Sequence, residues 1–375
     1  MAESHVRTSR RSASCSGVGE RSTAPENTDD LSYSPAVDFE LSDDQRALQD
    51  AAADLLGSLS TTEQVRAMAA REEPYDAALW KAMVEQGWTG VELSEAHGGL
   101  GLGMVEAAVL AEQVGVHLAP APFIENLLAV AALAGTKEDA WVERLVTGDA
   151  VACVAWRPGV PVAYAPVADA AVVIGDEEVL LVDLSVGPAI DREPAMDLTR
   201  PLGWLRLDGR AATKIGGAEE ATSLLDRGAS LYSAALLGGA ARVLDMATEY
   251  AKERVQFGKP IGSFQAVKHR CADMLVDVEG MRSTAFWAAW CLSAGDDDAS
   301  IASSTAKTWC SDAARRVMAS GLQVHGGIGF TWEHDLHLFL KRSQLDQLVF
   351  GDAAYHRERL GRLLRESLEP TPPVC

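Results

Sequence analysis

The chain has 375 residues, 47% of them hydrophobic and 23% charged, which is room for two or three structural units of ordinary globular composition. A formal charge of −21 repels phosphate backbones and anionic bilayers, so neither nucleic acid nor a membrane is expected as a partner. Arg and Lys are scattered, with small groups at Arg10 and Arg11 and in the last helix, and form no basic face.

Residues 1–36 are rich in Ser, Thr, Arg and Glu and hold almost no large apolar side chains. Such a segment cannot offset its ordering entropy and is expected to be a disordered extension, with the fold beginning at Phe39. Ser42, Asp43, Asp44 and Gln45 form a capping-box pattern that opens a helix with Leu48, Leu55 and Leu56 on one face. Helical patterns continue over 79–87, 104–114 and 123–133, interrupted by the loop sequence Gly98-Gly99-Leu100-Gly101. Residues 37–147 thus read as an all-helical N-terminal domain. The texture then changes. Apolar runs at 151–156, 171–174 and 179–182, the last two separated by Gly175-Asp176, read as strands with one hairpin, and Trp204, Leu205 and Leu207 suggest a further strand. Six prolines between Pro158 and Pro201 favour strands and loops over helices, so 148–220 reads as a small β domain. Four long Ala- and Leu-rich helical stretches follow, at 224–254, 264–292, 301–324 and 335–363. They read as an antiparallel four-helix bundle over 221–368, with 369–375 as a tail.

Six cysteines, at 15, 153, 271, 291, 310 and 375, form no C-x-x-C pair and no zinc spacing, so they read as buried or free thiols in a reducing compartment. No apolar run approaches the roughly 18 residues of a spanning helix, and no apolar h-region follows Arg10 and Arg11. The cytoplasm is the expected location.

Two motifs in the bundle carry chemistry. The first runs from Tyr250 through Arg254, Gln256, Phe257, Gly258 and Pro260 to Phe264 and Gln265; the second runs from Gln323 through Gly326, Gly327 and Gly329 to Thr331. Gly258 and Pro260 are helix breakers that leave Arg254 in a last helical turn and Phe257 just beyond it. An Arg beside an aromatic ring suits a diphosphate and an adenine, although an Arg there also simply complements the helix dipole. Gly326-Gly327 serves equally as a helix stop or as a close approach to phosphate. In order, and with the Gly98–Gly101 loop, the motifs resemble the paired signatures of the acyl-CoA dehydrogenase family across roughly residues 38–365. The resemblance implies the helical–β–bundle fold and FAD as cofactor. It also implies that Arg254, Gln256, Phe257, Gln323, Gly326 and Gly327 serve the ADP half of a neighbouring subunit's FAD.

The family's reaction removes an α-proton from an acyl-CoA thioester with a carboxylate while the β-hydrogen leaves as hydride to the flavin, so a base must lie within reach. The position of the usual glutamate is here Gly351, and the alternative position is Gly228. Asp352 is the substitute candidate, weighed against a helix-cap role; Asp226 is weighed against a first-turn residue favoured by the dipole. Trp156 suits either a flavin or an apolar core. The β domain also lacks a counterpart of the family's Gly-Ser-Asp segment. The run from Gly329 to Leu338 resembles the α2β2 enzymes of bacterial steroid and cholesterol side-chain degradation. His325, His334 and His337 lack the carboxylate and spacing of a metal site. Three readings follow: a heteromeric subunit with a base-bearing partner, a homotetramer using Asp352 or Asp226, and a non-catalytic protein on the same fold.

Overall fold

The computed structural model describes residues 40–368; the extension expected at 1–36, the start at Phe39 and the tail at 369–375 lie outside them. Helix α1 (Asp43–Leu59) opens with the expected capping box, in which Ser42 Oγ accepts from Gln45 N–H and the Gln45 side chain accepts from Ser42 N–H. Helices α2 (Thr62–Ala70), α3 (Ala77–Glu85), α4 (Met104–Val116), α5 (Phe123–Leu133) and α6 (Asp139–Val146) complete the first block. Two of these, α2 and α6, had no expected counterpart in the sequence patterns.

The sheet follows as β1 (Ala152–Ala155), β2 (Val162–Ala163), β3 (Ala170–Ile174), β4 (Glu178–Asp183), β5 (Leu202–Gly203) and β6 (Ala212–Gly217). Four strands order as β1-β3-β4-β6, with β1 parallel to β3 and the rest antiparallel, and β2 pairs with β5. The hairpin across Gly175-Asp176 joins β3 to β4, Ile174 facing Val179. The strand expected at Trp204–Leu207 is not there. Those side chains lie in a loop, Trp204 44% exposed, and the pairing strand comes later, from residues 212–217, in which Ile215 is the one large apolar side chain.

The bundle is α7 (Ala218–Glu253), α8 (Gln265–Ala294), α9 (Ala299–His325), α10 (Leu336–Asp346) and α11 (Ala353–Leu368), with a short hairpin of β7 (Val255–Gln256) and β8 (Lys259–Pro260) after α7. The fourth expected stretch is two helices. Its break at 347–352 contains Phe350 and Gly351, both at positive φ, where a right-handed helix cannot continue. One apolar core joins α1, α3, α4, α5, the inner face of the sheet and the first half of α7; a second fills the bundle among α7, α8, α9 and α10. Helices α4 and α7 touch backbone to backbone. A Cβ on Gly115 would lie 2.0 Å from Ala235 O, and one on Gly238 1.9 Å from Glu112 O, so glycine is required on both sides of the crossing.

Candidate functional site

Two regions emerge, one at the exposed ends of α7 and α9 and one buried where sheet and bundle meet. At the first, α7 stops at Glu253, and Arg254 is the extended cap residue rather than part of the last turn; its N–H donates to Tyr250 O. The chain reverses at once, Val255 pairing with Pro260 and Gln256 with Lys259 across a Phe257-Gly258 turn whose φ values are +53° and +78°. Such a turn favours Asn-Gly. Phe257 instead presents a ring that is 92% exposed, touching Phe264 edge-on at 6.1 Å. Neither burial nor turn preference accounts for that ring in the isolated chain.

Helix α9 ends alongside. The Tyr250 ring, four residues before Arg254, stacks on His325 at 4.7 Å, and Gly326 follows at φ +62°. Cβ atoms placed on Gly326 or Gly327 would meet nothing within 4 Å, so this backbone is open to an approaching group. Arg254, Gln256, Gln323 and Gly327 are all exposed. Residues 250–270 carry Lys252, Arg254, Lys259, Lys268 and Arg270 against Glu253 alone, five basic to one acidic, in a chain of charge −21. The arrangement suits a diphosphate-bearing aromatic ligand. His325 and His337 are buried, and the His325 and His334 rings pack 4.4 Å apart.

At the second region the two positions expected to carry a base lie near each other and are both closed. A Cβ on Gly228 would sit 2.3 Å from Cδ1 and Cε1 of Phe350. One on Gly351, at φ +95°, would sit 2.4 Å from Tyr355 Cδ1 and 2.9 Å from His356 Nε2. Asp352 caps α11, its Oδ1 accepting from Tyr355 N–H at 2.8 Å. Asp226 is not a first-turn residue, because α7 starts at Ala218; it is 3% exposed, paired with Arg359 at 2.5 Å and accepting from Ser300 Oγ at 2.5 Å. Trp156 stacks on Phe350 at 6.4 Å, with Tyr355 edge-on at 5.7 Å. The remaining cavity, about 210 Å³, is walled by Trp156, Tyr232, Val349 and Phe350, and two carboxylate residues, Glu125 and Asp352, also line it.

Beneath it lies a polar cluster that sequence reasoning missed. Tyr232 Oη donates to Glu125, Arg200 pairs with Asp346 and reaches Tyr232 Oη at 3.5 Å, and Arg342 holds Asp197 at 2.9 Å. Burial pushes the Glu125 carboxyl up, against the pull of Arg200 and Tyr232. Burial also opposes charge on Asp197, but Arg342 and Arg200 outweigh it and hold that carboxyl below its usual range. Lys307 is wholly buried, donating to the carbonyls of Asp346 and Gln347 at 3.0 Å each, and burial lowers it to about 7. The available signal was a lone acid inside an apolar helix, as Glu125 is in α5; α9 also carries Asp312, Arg315 and Arg316, so nothing marked Lys307 in the sequence.

Comparison with known proteins shows the family. The family models for the acyl-CoA dehydrogenase N-terminal and C-terminal domains match residues 42–149 and 216–364. The acyl-CoA dehydrogenase IpdE2 of Mycolicibacterium smegmatis is 34% identical over 331 residues, spanning 87% of this chain and 99% of its own. A chain of the ChsE4–ChsE5 complex from Mycobacterium tuberculosis superposes with a TM-score of 0.82 at 29% identity, over 89% of this chain and all of its own. A chain of a Tcur3481–Tcur3483 steroid acyl-CoA dehydrogenase variant gives 0.79 at 28%, over 86% and 98%. The chain belongs to the acyl-CoA dehydrogenase family.

Proposed function

We propose that this chain is one half of a heteromeric, FAD-dependent acyl-CoA dehydrogenase acting on a bulky, steroid-derived acyl-CoA thioester. In this reading it grips the ADP end of a flavin whose reactive ring, together with the catalytic base, is housed by a related partner subunit. FAD supplies the acceptor for the β-hydride when bound. This chain's own residues supply charge and stacking: Arg254 for the diphosphate, Phe257 for the adenine, and the open Gly326-Gly327 backbone for close approach. The single observation that carries the reading is the contrast between the two regions. Phe257 stands 92% exposed in a basic hairpin, while a side chain at Gly228 would run into Phe350 at 2.3 Å. A surface equipped for a ligand coexists with a cleft that has no room for a carboxylate at either family position. The kinship with a chain of the ChsE4–ChsE5 complex and with a chain of the Tcur3481–Tcur3483 steroid enzyme supports both the partner and the substrate class.

FAD titration tests the reading on the chain alone, on its partner alone and on the two co-expressed. Flavin retained only by the mixture is the expected result. A chain that is yellow by itself and desaturates a thioester would refute it. Asp352 as the base of a homomeric enzyme is disfavoured by its cap bond to Tyr355 N–H, and Asp226 by its pairing with Arg359.

A further inference from the structure

The loop at 347–352 is more elaborately held than a simple connection between helices. Phe350 adopts φ +56°, an unusual conformation for an aromatic residue, and is nevertheless 1% exposed. Its ring fills the hollow over Gly228 and touches Trp156 at 6.4 Å and Tyr232 at 5.8 Å, so three rings from the sheet, α7 and the loop close one space. Two buried side chains that no other feature explains hold the loop at either end. Lys307, reaching across from α9, donates to the carbonyls of Asp346 and Gln347 where α10 runs out of helical partners. His356, from the second turn of α11, meets Phe350 O through Nε2 at 2.7 Å, and that bond anchors the strained residue itself. The ends of the loop are thus fixed by polar bonds and its centre by aromatic packing.

We infer that the α10–α11 loop is a built-in plug, with Phe350 as the stopper and Lys307 and His356 as positioning residues that latch it, sealing this chain's own sheet–bundle cleft against acyl thioesters. The inference rests on the division of labour proposed above, in which this chain needs no open cleft of its own. Loss of a carboxylate alone would leave a hollow that could still sequester substrate unproductively. A sealed cleft directs each thioester to the partner's site, and the pair of unlike chains takes up one acyl-CoA. The plug also gives the strained geometry at Phe350 a purpose, since a relaxed helical connection would draw the ring away from Gly228.

Hydrogen exchange on the co-purified assembly tests this, with and without an unreactive acyl-CoA thioether as probe. In the wild type, amides 347–352 should exchange slowly and at the same rate in both conditions. Lys307→Met should speed their exchange by about tenfold or more while leaving the C-terminal half of α11 unchanged. Phe350→Ala should admit indole, seen as a concentration-dependent thermal shift, whereas Phe350→Leu should exclude it. If Phe350→Ala does not fold, the wild-type exchange and Lys307→Met still decide the matter. Fast exchange of 347–352 in the wild type, slowing by the thioether, or two thioethers bound per pair would overturn the plug. None of these readouts involves flavin. A chain that is yellow alone would therefore sink the shared-flavin reading and leave the plug standing, unless these amides respond to the thioether.

Discussion

Phe257→Ala separates ligand binding from folding more cleanly than any other substitution here. The ring is 92% exposed and its one recorded ring contact is the edge of Phe264 at 6.1 Å, so removing it should change the stability of the isolated chain by no more than about 0.5 kcal/mol. The same ring, stacked on an adenine, contributes about 1–3 kcal/mol to binding by analogy with base–aromatic contacts. Its loss should weaken FAD binding to the assembly by about 5- to 150-fold. Phe257→Gly sharpens the contrast. At φ +53° a non-glycine residue bears left-handed strain of roughly 1 kcal/mol, so glycine should stabilise the hairpin while costing the same affinity. Fluorescence titration of FAD into the assembly gives one quantity, and thermal or urea unfolding of the chain alone gives the other. If Phe257→Ala lowered stability by more than about 1 kcal/mol and left flavin affinity unchanged, the ring would be structural and its proposed role wrong.

Asp352→Asn keeps an acceptor for the Tyr355 N–H and should leave turnover of the assembly unchanged, whereas Asp352→Ala should lose about 1 kcal/mol of stability; abolition of activity by Asp352→Asn would make it the base after all. Asp226→Ala strands Arg359 in the core and should cost about 3–5 kcal/mol, much of it recovered in Asp226→Ala/Arg359→Met; a double mutant as unstable as the single would mean that the pair is not the unit of stability. Lys307 titrates near 7 when folded, because burial disfavours its charge, against an ordinary value of 10.5. Between those pH values the unfolded chain binds more protons, so stability should rise with pH by at most about 1.4 kcal/mol per unit, and Lys307→Met should remove that contribution; equal slopes in denaturant melts across that window would contradict it.

Features visible in the sequence were those fixed locally. The Ser42–Gln45 box and the Gly175-Asp176 hairpin are set by side chains within a few residues of each other. The Val255–Pro260 hairpin was visible as a break because Gly258 and Pro260 bar a continuing helix there wherever the rest of the fold goes. Hydrophobicity misled at Trp204 and Leu207, which are exposed in a loop, while Leu205 packs half-buried against the sheet. Strand β6 escaped notice because it pairs only with β4 and, apart from Ile215, is built of polar and small residues. The buried cluster was out of reach for a different reason: Arg200 and Asp346 are 146 residues apart, and no periodicity encodes their meeting.

The glycines at 228 and 351 are one structural fact rather than two. Phe350 can lie against the α7 backbone only because residue 228 has no side chain, and the chain can turn Phe350 inward only because residue 351 tolerates φ +95°. A carboxylate at 351 would carry left-handed strain of about 1–2 kcal/mol and overpacking against Tyr355 and His356 of about 1–3 kcal/mol. A carboxylate at 228 would have to expel Phe350, and with it the contacts to Trp156 and Tyr232. Each glycine is held in place by the aromatic ring that the other makes possible. Placing a carboxylate at either position therefore means rebuilding the loop and the aromatic wall behind it together, so no single substitution at 228 or 351 fits the structure as it stands.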